Sequence, residues 1–198
     1  MWLSAEFLSD VEIAFITRNK HKFEEAKYVL SLMGVRLIQV PMKRIEIQSD
    51  DLCEIALFGV KDAAEKLNRP VIVEDAGLFI ESLGGFPGPY SSYVFKTIGL
   101  SGILKLMRGV SDRRAWFESA VAYCDSSGEC RVFKGVAFGE IALEPRGSGG
   151  FGFDPIFIPD EGDGLTFAEM EFEHKCRISH RAKAFKAFGM WLASHLAK

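Results

Sequence analysis

Glu74 and Asp75 stand side by side after the β-branched run Val71, Ile72, Val73, where a buried charge is costly unless it is paired or bound to a metal. The run reads as a buried strand that ends on these carboxylates and passes into a loop with Gly84, Gly85, Pro87, Gly88 and Pro89. A third acid, Glu46, lies between Ile45 and Ile47 at the expected end of an earlier strand. Together these acids supply the oxygen donors that Mg2+ takes, with water and substrate phosphate filling its other positions. In "TRNKHK", Thr17, Arg18, Asn19, Lys20, His21 and Lys22 fall in a strand-to-helix turn, where backbone N–H groups and the helix dipole favour an anion. No Walker-type motif is present, so on this stretch alone the simpler reading is a turn shaped by Asn19 with solvated lysines.

Two later stretches add to this set. "SGGFGFDP" places Phe151 and Phe153 between glycines and before Asp154; it reads either as a platform for a base and a carboxylate for a sugar, or as a glycine-rich turn whose rings are core. "HKCRISHRAKAF" brings Lys175, Arg177, His180 and Arg181 to the expected start of the last helix, where positive charge opposes the dipole and so points to an anion or a carbonyl oxygen.

The elements that must position these residues alternate at first. "VEIAFIT" (11–17) and "VRLIQV" (35–40) read as strands around a helix in "KFEEAKYVLSLMG" (22–34), with Phe23, Ala26, Leu30 and Met33 on its apolar face and Gly34 as its stop. A second helix, 52–68, precedes Pro70 and the strand that carries Glu74. After a short helix at 100–107, "RAWFESAVAYCD" and "CRVFKGVAFGEIAL" read as a hairpin. A glycine-rich loop (144–154), a short strand "PIFI" and an irregular stretch (159–178) lead to a last helix capped by Ser179, with Ala182, Phe185, Phe188, Leu192 and Leu196 facing the core. The expectation is an α/β fold: a mixed sheet, whole or shared by two lobes, with flanking helices and a cleft.

The 198 residues are 48% hydrophobic and 26% charged, with net charge −3, which suits a globular protein with a sizeable core and excludes a nucleic-acid binder held by bulk positive charge. The first ten residues carry Glu6 and Asp10 without a basic segment and do not read as a signal peptide, and no apolar run nears the ~20 residues of a membrane span. A cytoplasmic protein is expected. Cys53, Cys124, Cys130 and Cys176 form no CxxC pair and read as reduced thiols, including the two that flank the hairpin turn.

Taken in order, "TRNKHKFEE", "EDAGLFIESLGGFPGPYSS", "GGFGFDPIFIP", "TFAEM" and "ISHRAKAF" resemble the inosine triphosphate pyrophosphatase family from about residue 11 to the C-terminus, archaeal members most. The resemblance implies one two-lobed domain that forms a homodimer and hydrolyses non-standard purine nucleoside triphosphates (ITP, dITP, XTP) with Mg2+, releasing a monophosphate and pyrophosphate. It puts Glu46 and Asp75 at the metal and makes Asp75 the residue that activates water. It puts Thr17, Asn19 and Lys22 on the triphosphate and Phe151, Gly152, Phe153, Asp154, Lys175, His180 and Arg181 around base and sugar, with Arg18, Lys20, His21 and Ala76 also among the substrate-binding residues. Four positions depart from the family pattern: Arg18 stands for a glycine or serine, Ile55 and Gly59 for an asparagine and a lysine, and Cys176 for an asparagine. The first ten residues have no counterpart. A nucleotide sensor without turnover and a pyrophosphatase for modified pyrimidine nucleotides are the rival readings.

Overall fold

The structure, a computed structural model, describes residues 11–196; the ten-residue N-terminal extension lies outside them. A strand, helix and strand open the chain: β1 (Glu12–Ile16), α1 (Lys20–Ser31) and β2 (Arg36–Val40), the strands parallel. Then α2 (Leu52–Leu67), capped by Asp51 through Cys53 N–H at 2.7 Å, leads to β3 (Val71–Ile80). After β4 (Pro87–Gly88), α3 (Ser91–Thr97) and α4 (Gly99–Leu106) come the long antiparallel strands β5 (Arg114–Cys124) and β6 (Cys130–Ile141). The short β7 (Phe157–Pro159) and the helices α5 (Phe172–Ile178) and α6 (His180–Leu196) complete the fold. The strands form one mixed sheet in the order β2-β1-β3-β5-β6-β7, with β4 also on β3.

Four expectations change. First, β3 does not stop at the carboxylates but runs through them to Ile80, because every residue from Val71 to Ile80 has a partner on β5. Second, 159–178 is not wholly irregular: it contains α5, so Lys175 and Arg177 lie on their own short helix and not at the start of the last one. Third, Cys124 and Cys130 are joined as a disulfide, since the register of β5 and β6 sets them directly opposite each other; only Cys53 and Cys176 are free thiols. The α6 face also ends before Leu196, which is exposed.

The period-2 alternation of strands sorts the core. Ile72 of β3 faces α1 and α6, where Phe15, Leu30, Val121, Phe185 and Phe188 are buried together. Its neighbours Val71 and Val73 face the opposite side and pack with Leu52, Ala56, Val60 and Ala63 of α2. Further along, Leu78 and Ile80 enter a third cluster with Phe117, Phe157 and Phe167. Each fully buried side chain of this size is worth about 1.5–3 kcal/mol of transfer free energy, so the sheet is held firmly on both sides of Glu74–Gly77, the stretch where the apolar run breaks.

That break coincides with a gap in the sheet. β1 pairs with β3 only at Val71 and Ile72, and β4 only at Leu78 and Phe79. Between them one edge of β3 has no strand neighbour, and the turn from β1 into α1 opens beside it. Gly77 permits the approach of β4, because a Cβ there would collide with the Gly88 carbonyl.

Candidate functional site

The alternation that sorts the core also separates the two adjacent carboxylates. Glu74 points to the α1 and α6 side of the sheet, where its Oε1 accepts from Ser119 Oγ at 2.8 Å and Arg181 Nε at 3.1 Å. Lys22 Nζ lies 2.8 Å from Oε2. Arg181 also donates through Nη1 to Glu25 Oε2 at 2.8 Å, and Lys175 Nζ joins Glu25 Oε1 at 2.7 Å to Asp154 Oδ2 at 2.6 Å. Glu25, Glu74, Asp154, Lys175 and Arg181 are all buried, and with Lys22 the three acids meet three bases. Buried charges need this pairing, since an unpartnered one costs several kcal/mol. Burial works against ionisation of both Glu74 and Glu25, yet the Arg181 guanidinium, with Lys22 on Glu74 and Lys175 on Glu25, holds their carboxyls below the usual range.

Aromatic rings close over this network. Phe151 has Lys175 Nζ 4.9 Å and the Arg181 guanidinium carbon 5.3 Å from its centroid, and His21 stacks on it at 5.2 Å. His21 thus ties the first turn of α1 to the glycine-rich loop. That loop splits its two aromatics: Phe153 is core, whereas Phe151 is half-buried over the cations. Gly152 is half-buried between them. Asp154 receives Phe151 N–H at 2.7 Å, and Gly150 has φ +66° with no room for a Cβ beside the Asp154 carboxylate. His180 is buried, stacked on Phe117 at 4.6 Å, with Nδ1 lacking any partner among the described residues. Burial, then the nearby Arg181 charge, keeps it neutral well below the usual histidine range. Ser179 caps α6 as expected, its Oγ accepting from Ala182 N–H at 3.1 Å.

The β1–α1 turn is shaped by its own side chains. Thr17 Oγ1 accepts from Asn19 N–H, and Asn19 Oδ1 accepts from His21 and Lys22 N–H at 3.0 and 3.2 Å, so Asn19 is the N-cap. Arg18, Lys20 and His21 are exposed. Arg18 and Lys20 make no ion pair among the described residues, and α1 has no acid in its first turn.

Asp75 points to the α2 side. Its nearest ionic partner is Arg44, Nη2 to Oδ1 at 3.4 Å, and Arg44 Nε lies 3.3 Å from Glu46 Oε1. Glu46 is not at the end of β2, which stops at Val40, but in the following irregular segment, with its side chain 68% exposed. Burial, outweighing Lys22 and Arg44, pushes the Asp75 carboxyl up from its ordinary value. Ala76 follows on the unpaired edge of β3. No cluster of three or more His, Cys, Asp or Glu side chains arranged to hold a metal occurs among the described residues. The donor set of Asp75 and Glu46 nevertheless fits a hard divalent cation: two carboxylates are already gathered around one positive group, and the Glu46 side chain is open to solvent.

Sequence reasoning missed Glu25, Ser119, Phe117 and Arg44. The signal for Glu25 was present: it lies three residues after Lys22, beside Ala26 on the apolar stripe of α1, where an unpaired acid would be untenable. Ser119 and Phe117 required the β3–β5 register, and Arg44 required the path of an irregular segment.

Residues 13–191 match the Ham1 family. A dITP/XTP pyrophosphatase from Methanopyrus kandleri is 52% identical over 94% of this chain and 99% of its own, and one from Thermococcus kodakarensis is 51% identical over 94% and 100%. Among solved structures, a HAM1 protein from Coxiella burnetii aligns with TM-score 0.81 at 29% identity, covering 93% of this chain and 99% of its own. The Ham1 protein of Staphylococcus aureus aligns at 0.80 with 30% identity, over 93% and 99%. On this likeness over nearly its whole length, the chain belongs to the Ham1 family.

Proposed function

We propose that this protein hydrolyses non-standard purine nucleoside triphosphates, ITP, dITP and XTP, to the monophosphate and pyrophosphate. The observation that carries the reading is the division of Glu74 and Asp75 at the gap in the sheet: one carboxylate builds a buried cationic floor, and the other remains beside a basic helix start that suits a triphosphate. Relatives at about half identity carry the name dITP/XTP pyrophosphatase.

In this reading Arg18, Lys20 and Lys22 attract the phosphates, and Thr17, Asn19 and His21 shape the turn that receives them. Asp75 takes the proton from the attacking water. Asp75 and Glu46 would hold Mg2+, which when bound neutralises phosphate charge and lowers the pKa of water. Phosphoryl chemistry of this kind rests on positioning and electrostatics more than on covalent steps. The base lies toward Phe151, His180 and Arg181. Arg181 uses Nε and Nη1 within the protein, leaving Nη2 to donate to a 6-oxo group, whereas adenine would set a donor against a donor. Lys175 and Asp154 hold Phe151 and its loop in place. Residues 1–198 act as one two-lobed cytoplasmic domain. A homodimer has a suitable surface in Phe79, Trp116 and Phe138: the first two stack at 5.2 Å, and Phe138 is exposed opposite Trp116.

The test is a panel of nucleoside triphosphates assayed with Mg2+ for pyrophosphate and for orthophosphate. Pyrophosphate from ITP and XTP, with little from ATP or GTP, is the expected result; orthophosphate as first product overturns the reaction, and nucleotide binding without turnover leaves a sensor.

A further inference from the structure

Arg44 is not explained by the network on the other face of the sheet. Its side chain is only 12% exposed, yet both of its ionic contacts are long, 3.3 Å to Glu46 and 3.4 Å to Asp75, and its Nη1 is buried without a partner among the described residues. A guanidinium with five donors normally makes short, paired bonds to carboxylates. Here it is enclosed without being well bound. The enclosure comes from α2. Gly59 has no side chain, and a Cβ there would lie 3.3 Å from Arg44 Nη1 and 3.4 Å from its Cδ. Lys61, two residues further along α2, brings no charge to this face: it is exposed and lies near the Asp125–Cys130 turn. Arg44, reaching in from an irregular segment, brings a cation to the face that Gly59 leaves open.

Resting on the metal reading above, we propose that Arg44 is a partner-changing residue of the active site. In the metal-free protein it is the counter-ion that gathers Asp75 and Glu46. When a divalent cation takes those carboxylates, Arg44 turns its fork to the substrate's polyphosphate chain. Loose contacts and an unused donor are what such an exchange needs, because little is lost on release and a planar fork is available for phosphate oxygens. The Arg44 side chain therefore makes metal binding and polyphosphate binding cooperative.

Cooperativity separates this from simple charge. Removing any nearby cation would tighten metal and weaken anion, each on its own, but only a residue that changes partners links the two, and the linkage is reciprocal. The experiment measures binding of inorganic tripolyphosphate with and without Mn2+, and of Mn2+ alone by its paramagnetic resonance signal, in the wild type, Arg44→Gln, Arg44→Lys and Asp75→Asn. The Mn2+-linked gain in tripolyphosphate affinity should fall by about threefold or more in Arg44→Gln, the size of a modest ion pair, and return in part with Arg44→Lys. Complexation of Mn2+ by tripolyphosphate in solution is common to all four proteins and cancels. An unchanged gain in Arg44→Gln overturns the exchange, and weaker Mn2+ binding in that variant makes Arg44 a scaffold for the carboxylates. If Asp75→Asn leaves Mn2+ binding of the wild-type strength, it is the metal reading that fails, separately from the role of Arg44. Thermal unfolding of each variant checks that the fold is retained.

Discussion

Glu74 and Asp75 are neighbours on one strand and have opposite lives. Glu74 is buried, fixed by Ser119, Arg181 and Lys22, and held ionised. Asp75, one residue on and facing the other way, touches a single cation at 3.4 Å, and burial raises its affinity for a proton. A carboxylate with all its partners is architecture, whereas one left partly unsatisfied keeps chemical work to do. The same contrast extends to the cations: Arg181 is locked between two acids and Arg44 is held by none closely.

The sharpest way to break the contrast is to neutralise each side in turn. Asp75→Asn should lower kcat for ITP by about 10²–10⁴-fold, the usual cost of a lost general base. Thermal unfolding without metal should hardly change, because the amide removes a poorly paired buried charge. A stable Asp75→Asn protein with near-normal kcat would take Asp75 out of the chemistry. Glu25→Gln should do the reverse. It leaves Lys175 and Arg181 short of a partner and should cost about 3–5 kcal/mol of stability in denaturant unfolding, with activity falling as the fold is lost. Stability within ~1 kcal/mol of the wild type would mean that the network is not the structural floor described here.

A titration sharpens the same comparison. Glu74 and Glu25 have depressed folded values, so the stability they contribute is present above the ordinary Glu value of ~4.3 and is lost as pH falls through the lower folded values. Asp75 is raised, so its ionised form is disfavoured by folding, and the fold gains as pH falls through that raised value. In the metal-free protein Asp75 should therefore take up its proton at a pH above the ~3.9 of an ordinary aspartate, while the fold is still intact, as followed by the carboxyl resonance of Asp75. Protonation of metal-free Asp75 only as near-ultraviolet circular dichroism is lost would erase the distinction between the two carboxylates. The smallest effect belongs to the far end of β5 and β6. Reducing Cys124–Cys130 opens a loop of only six-residue separation that the hairpin already closes, so it should lower Tm by a few degrees at most and leave ITP turnover unchanged, measured with and without dithiothreitol.

Much of this was legible in the sequence where local rules decide. Ser179 is a helix cap by residue type, Val71–Val73 is a strand by β-branching, and the hairpin is written in its alternating strands. The site was legible as separate patches. What joined them was not, because register is a long-range property: nothing local says that Glu74 faces Arg181, 107 residues later. The disulfide was misread for the same reason, since the pairing depends on Cys124 and Cys130 meeting directly across two strands. Extending β3 past two acids contradicted local expectation, because a full-length partner strand on β5 outweighs the poor strand propensity of Glu and Asp.

The unbroken pairing of β3 with β5 also makes this strand a message with one reading frame. A single inserted or deleted residue before Glu74 would turn every following side chain to the other face, offering Asp75 to the lysine and arginine floor and Glu74 to the open side. Composition, net charge and even the local motif would survive such a change almost intact, while both halves of the site would be misassigned at once. In drifting relatives, then, loops on either side of β3 can absorb insertions, but the ten residues of the strand itself can change only by substitution.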